Sequence, residues 1–220
     1  MTDRALILDF GGVITRTLFE THPQTENALG LPPGTLTWRG PFDPDNDPLW
    51  QSMQADELSE RDYWKTRTRE VAEMIGAGWT QMSDFVRAAR GASPAEVIRP
   101  EFLSTLRMVR AAGIRAAILS NELDLFYGAD FREKLPFLKE FGVIHDATYT
   151  KILKPDPRAY TAVLDDLGLA PRACVFVDDQ ARNIAGARAV GLNTVHFNVQ
   201  TPAESYAEAL KMLGLSGEIS

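Results

Sequence analysis

Two adjacent aspartates, Asp178 and Asp179, follow the apolar run Ala-Cys-Val-Phe-Val, and an earlier run, Ala-Leu-Ile-Leu, leads into Asp9. Runs of this kind are strands buried on both faces of a parallel sheet, where ligands collect at the carboxyl ends of the strands. Asp9 and Asp178 are therefore expected to meet in space. Carboxylates that converge repel one another and pay for lost water, so a hard, oxygen-seeking cation such as Mg²⁺ is the expected neutraliser.

The elements that must position these acids can be read along the chain. Strand-like runs fall at residues 5–10, 114–119, 173–177 and 194–197, with helix-like stretches at 101–112, 157–167 and 181–190 between them. That alternation reads as βαβ units, hence an α/β fold with a Rossmann-like parallel sheet. Gly113, Gly168 and Gly191 sit where helix C-terminal caps are needed. Residues 14–92 differ: a segment rich in Pro, Gly and Asp leads into helical patterns at 59–75 and 82–90, with no strand pattern. A mostly helical cap inserted after the first strand is expected there, with residues 1–13 and 93–220 forming the core. Ser59, followed by acid in the first turn, reads as an N-cap.

Composition narrows the function classes. A chain of 220 residues, 45% hydrophobic, can bury one sizeable core with an attached unit. The formal charge of -7 argues against a nucleic-acid partner, which needs clustered Lys and Arg. No apolar run approaches the ~20 residues that span a bilayer, and no leader pattern precedes the first strand, so no membrane partner is expected. The single cysteine, Cys174, lies inside an apolar run and reads as a packing group, which with the missing leader suggests a cytoplasmic protein. His22, His145 and His196 have no metal-ligand spacing between them, so zinc is not indicated. Trp38, Trp50, Trp64 and Trp79 all fall in the cap, where packing is the first expectation and a pocket wall the second. Oligomeric state leaves no trace in the sequence.

Four short segments, in this order, resemble the haloacid dehalogenase superfamily: LILDFGGVI around Asp9, AAILSNE around Ser120, LKPDP around Lys154 and VFVDDQARNIAGARAVG around Asp178. The resemblance implies a Mg²⁺-dependent phosphohydrolase acting on a small phosphorylated metabolite, sugar-phosphate-like, through an aspartyl-phosphate intermediate. In that reading Asp9 is the nucleophile, and Lys154 offsets charge on it. Ser120, Asn121 and the backbone at Gly12 hold the phosphoryl group. Asp9, the Gly11 carbonyl, Asp178 and Asp179 form the metal site, with Asp178 favoured as the direct ligand. Asn183 supports that shell, Asp156 caps a helix, and Lys151 is the neighbour from which Lys154 must be distinguished.

One departure matters. Most hydrolytic members carry a second aspartate two positions after the nucleophile, as general acid and base; here that position is Gly11. Losing such a group typically costs ~10²–10⁴ in rate. Glu122, Asp124, Glu20, His22 and Asp43 are candidate replacements, and esters with an acidic leaving oxygen, such as anomeric sugar phosphates, would need one least. Two alternatives stand beside the phosphohydrolase: a noncatalytic phosphate- and metal-binding module, and a 2-haloacid dehalogenase, which uses no metal.

Overall fold

The computed structural model describes residues 3–90 and 94–215. Five strands, β1 (Ala5–Leu8), β2 (Arg115–Ser120), β3 (Val143–Asp146), β4 (Cys174–Asp178) and β5 (Asn193–His196), form one sheet in the order β3-β2-β1-β4-β5, every pairing parallel. Every residue of β1 and β4 is buried, which is why their sequences are unbroken apolar runs. The chain winds from β1 through β2 to β3 on one side, then crosses to β4 and β5 on the other. The reversal falls between β1 and β4, the position at which open α/β sheets leave a crevice.

Two strand expectations need correction. The first strand stops at Leu8 instead of running to residue 10, because Phe10–Ile14 closes into a tight helical turn. Gly12 in that turn has φ 78°, a left-handed conformation that favours glycine. The edge strand β3 was not expected at all: it is four residues long, three of them only half-buried, and His145 and Asp146 interrupt its apolar pattern.

Helices α1 (His22–Leu29), α2 (Pro48–Gln54), α3 (Glu60–Ile75) and α4 (Met82–Arg90) make up the insertion between β1 and β2. Then come α5 (Pro100–Ala111), α6 (Leu123–Tyr127), α7 (Ala147–Thr150), α8 (Pro157–Leu167), α9 (Ala181–Ala189) and α10 (Pro202–Met212). Ser59 Oγ accepts from the Asp62 N–H at 3.1 Å, and an Asp156 carboxylate oxygen accepts from the Arg158 N–H at 2.9 Å, so both expected caps form. Gly168 ends α8 in the left-handed conformation. Cys174 is buried, and burial pushes its thiol up to about 11, as suits a packing group. No helix among the described residues is long and apolar enough to cross a membrane.

The insertion is organised around a buried carboxylate. Asp47 takes Arg67 at 2.5 Å, the Tyr63 hydroxyl at 3.0 Å and the backbone N–H groups of Trp50 and Gly40 at 3.0 and 3.1 Å. A buried charge is tolerable only when its lone pairs are filled in this way. This network caps α2 at the Trp50 N–H and ties it to α3. The insertion also shares its apolar interior with the rest of the molecule: Phe19, Trp50 and Tyr63 belong to the same buried cluster as Leu6, Phe102 and Val177. The boundary expected between residues 92 and 93 lies outside the described residues.

Candidate active site

The strand register brings the acids together. Leu8 pairs with Val177, and the Asp9 N–H donates to the Val177 carbonyl at 2.9 Å, so Asp9 and Asp178 leave the sheet side by side. Asp9, Asp178 and Asp179 offer carboxylate oxygens that lie within 4.8 Å of one another. Lys154, brought in by the loop before α8, donates to Asp9 at 2.8 Å and to Asp178 at 2.6 Å. Lys151, by contrast, is exposed and turned onto the Thr148 carbonyl.

The two neighbouring aspartates differ in their surroundings. Asp178 is fully buried; its oxygens take Lys154, the Gln180 N–H at 2.8 Å, and the Asn183 side-chain amide at 3.0 and 3.1 Å. Among the described residues no hydrogen bond reaches the Asp179 carboxylate. The sequence favoured Asp178 as the direct metal ligand. In the structure Asp178 holds Lys154, and of the three acids Asp179 is the one whose carboxylate takes no hydrogen bond among the described residues. A Cβ added at Gly12 would stand 2.7 Å from Asp179 Oδ2, so glycine is needed there for space as well as for φ. Gly11 is different: its backbone is extended at φ -69° and ψ 131°, and an added Cβ would meet only the Tyr127 hydroxyl, at 3.7 Å.

Charge dominates this site. Three carboxylates face one ammonium, an excess of two negative charges in a buried setting. Burial, partly offset by Lys154, pushes Asp9 up to about 7. Burial and the repulsion of Asp178 and Asp9 raise Asp179 well above the ordinary carboxylate range. Burial would lower Lys154, but Asp178 and Asp9 outweigh it and hold the ammonium charged. A divalent cation would offset the remaining excess, and oxygen donors are what Mg²⁺ takes, so the donor set fits that ion.

Ser120 ends β2, and Asn121 is locked by Lys154, accepting its backbone N–H at 2.7 Å and donating to its carbonyl at 3.1 Å. Both line one pocket together with Asp9, Gly11, Gly12, Lys154 and Asp179. Of the acids put forward to replace the missing second aspartate, only Glu122 lines that pocket. Glu20 is held by Arg99 at 2.6 and 2.9 Å, and Asp124 by Arg132 and the Tyr149 hydroxyl, each at 2.6 Å. Asp43 accepts from Asn46 away from the pocket. His22 is buried against Trp38, ring centroids 4.4 Å apart, and burial and the nearby Arg39 lower it to about 4. Glu60, which sequence reasoning took only as acid in a helix first turn, also lines the pocket, and burial raises it. Nothing in its local sequence separates these two roles. Trp50 and Trp64 stand in the pocket wall, whereas Trp38 packs on His22 and Trp79 on Phe85.

Comparison with known proteins follows from this geometry. The haloacid dehalogenase-like hydrolase family matches residues 4–191, and the chain belongs to that family of hydrolases. It is 31% identical over 170 residues to (S)-2-haloacid dehalogenase 1 of a Pseudomonas species, covering 73% of this chain and 74% of that one. It is 26% identical over 208 residues to mouse acyl-CoA dehydrogenase family member 10, covering 94% of this chain but only 19% of the mouse protein. A haloacid dehalogenase family enzyme of Bacteroides thetaiotaomicron, solved with magnesium and inorganic phosphate, superposes with a TM-score of 0.51 at 18% identity, covering 89% of this chain and 94% of that one. At that identity the likeness is one of fold. Other relatives include phosphatases and a second 2-haloacid dehalogenase.

Proposed function

We propose that this protein is a Mg²⁺-dependent phosphohydrolase of a small phosphorylated metabolite. The observation that carries the reading is the charge excess: three convergent carboxylates against a single ammonium, with the Asp179 carboxylate unengaged. Asp9, Asp179 and the Gly11 carbonyl would hold Mg²⁺, with Asp178 acting through Lys154. When bound, the ion neutralises charge on the phosphoryl oxygens and so admits an anion to an acidic site.

The chain's own residues do the rest. An Asp9 oxygen attacks phosphorus; the new O–P bond forms as the bond to the leaving oxygen breaks, and that oxygen takes up a proton. Lys154, Ser120, Asn121 and the backbone at Gly12 hold the phosphoryl oxygens. Water then attacks phosphorus and frees Asp9. Glu60 is the proposed proton donor: it faces the pocket, and burial favours its neutral form. Glu122 serves less well, because Arg61 holds one of its oxygens at 2.9 Å and the other is sealed from solvent. The helical insertion acts as a cap that selects substrate and excludes water.

Crystals soaked with Mg²⁺ and beryllium fluoride should gain density on the Asp9 carboxylate, and phosphate release from monoesters should stop when Mg²⁺ is chelated. Turnover unaffected by chelation would end the metal reading. Tight, Mg²⁺-dependent ligand binding with no turnover would leave a binding module. The dehalogenase relatives and the absent acid at Gly11 favour one rival, displacement of halide from a 2-haloacid by Asp9. Chloride released from 2-chloropropionate without metal would establish that rival.

A further inference from the structure

Above the polar floor, the pocket is walled by Leu18, Phe19, Trp50, Trp64, Phe126 and Tyr127. The rings form a continuous chain: Phe19 to Trp50 and to Trp64, each with centroids 5.3 Å apart, Trp64 to Phe126 at 5.4 Å, and Phe126 to Tyr127 at 5.1 Å. The wall therefore crosses from the insertion to α6 and encloses the space that a leaving group would occupy over Asp9.

Several polar side chains beside this wall are already engaged. Thr17 Oγ1 donates to Glu20 at 2.9 Å, Gln180 Oε1 accepts from Gln54 at 3.2 Å, and Asn121 is locked onto the Lys154 backbone. A polyol would give up its water here for few partners, since Glu60 and the Gln180 side-chain N–H are what remain beside the rings and the ring faces themselves offer none. Cations are missing too. Among the described residues, Lys154 is the only basic side chain in the lining, and two carboxylates hold its ammonium. The arginines at the rim are also paired: Arg61 with Glu122 at 2.7 Å, and Arg182 with Asp56 at 3.3 Å and Glu60 at 3.5 Å. A second anionic group on the substrate would meet Glu122 and, among the described residues of the lining, no free cation.

We propose that the leaving group is an uncharged alcohol with an apolar or aromatic body, making the substrate an arylalkyl or prenyl monophosphate and not a bisphosphate, a phospho-acid or a sugar phosphate. This rests on the phosphohydrolase reading above. It also departs from the sugar-phosphate-like substrate expected from sequence, because a continuous aromatic wall rewards apolar area rather than hydroxyls.

The test compares benzyl phosphate, 4-carboxybenzyl phosphate, phosphoglycolate and glucose 1-phosphate as substrates of the full chain with Mg²⁺. Benzyl phosphate should lead in kcat/KM by roughly tenfold or more, the scale on which apolar pockets discriminate. Trp64→Ala should lower the ratio of its kcat/KM to that of glucose 1-phosphate by about tenfold. A lead for glucose 1-phosphate or either carboxylated ester, or equal losses on all esters in Trp64→Ala, overturns the proposal and leaves the phosphohydrolase standing. If no ester is hydrolysed, that reading fails instead. Calorimetry with Mg²⁺ then still decides the pocket: benzylphosphonate should bind at least about tenfold tighter than phosphonoacetate, and the reverse order overturns the proposal.

Discussion

The pocket has a floor and a wall that solve opposite problems. The floor, built from the carboxyl ends of β1, β2 and β4, gathers more charge than it can neutralise; the wall, built mainly from α2, α3 and α6, presents a continuous run of rings. Unbalanced charge invites a ligand, and balanced apolar surface chooses among ligands. Chemistry and selectivity therefore sit on different elements, and each can be altered with limited effect on the other.

Removing the nucleophile tests the floor most severely. Asp9→Asn should lower phosphate release by about 10⁴-fold or more, measured as kcat/KM, while the protein keeps its circular dichroism and its binding of benzylphosphonate. Retained turnover would move the chemistry off the floor. On the wall side, Asp47→Ala leaves buried Arg67 with only Glu70 as counter-charge and removes the cap on the Trp50 N–H; it should cost about 3 kcal/mol in urea titration. A loss below about 1 kcal/mol would mean that the rings hold the insertion without this ion pair.

His22 gives a titration specific to the insertion. Its folded value is about 4 against an ordinary 6.5, so the unfolded chain binds the extra proton throughout that window. Its contribution is complete above pH 6.5 and is lost as pH falls toward 4, about 3 kcal/mol in all. His22→Phe should flatten that part of the stability curve. An unchanged slope would place the acid sensitivity in the floor. The smallest expected effect is a gain: Gly11→Asp has extended backbone and space beside Tyr127, so it should fold and raise kcat by roughly ten- to a hundredfold. A slower variant would mean that Glu60 already supplies the proton and the new carboxylate only adds repulsion.

The same division decides what could be read from sequence. Asp9, Ser120, Lys154 and the Asp178–Asp179 pair are visible because each closes a buried strand or opens a helix, so position in an element fixes position in space. The different surroundings of Asp178 and Asp179 are not legible there, since they lie in Lys154, Gln180 and Asn183, three groups that only folding assembles. Glu60 looks like any acid at a helix start, and its place in the pocket follows from how α3 lies over the sheet. The wall was equally hidden: Trp50 and Trp64 carry no pattern that separates them from Trp38 and Trp79. The edge strand β3 escaped notice because it needs burial on only one side.

The interior shared by insertion and sheet has a consequence for engineering. Trp64 rests on Phe126, Arg61 reaches Glu122, and Gln54 reaches Gln180, so the four-helix insertion is woven into its host instead of being hung from it. Grafting it onto a relative would expose half of a seam with nothing to close it. New selectivity is better sought by exchanging single rings in place than by transplanting the whole segment.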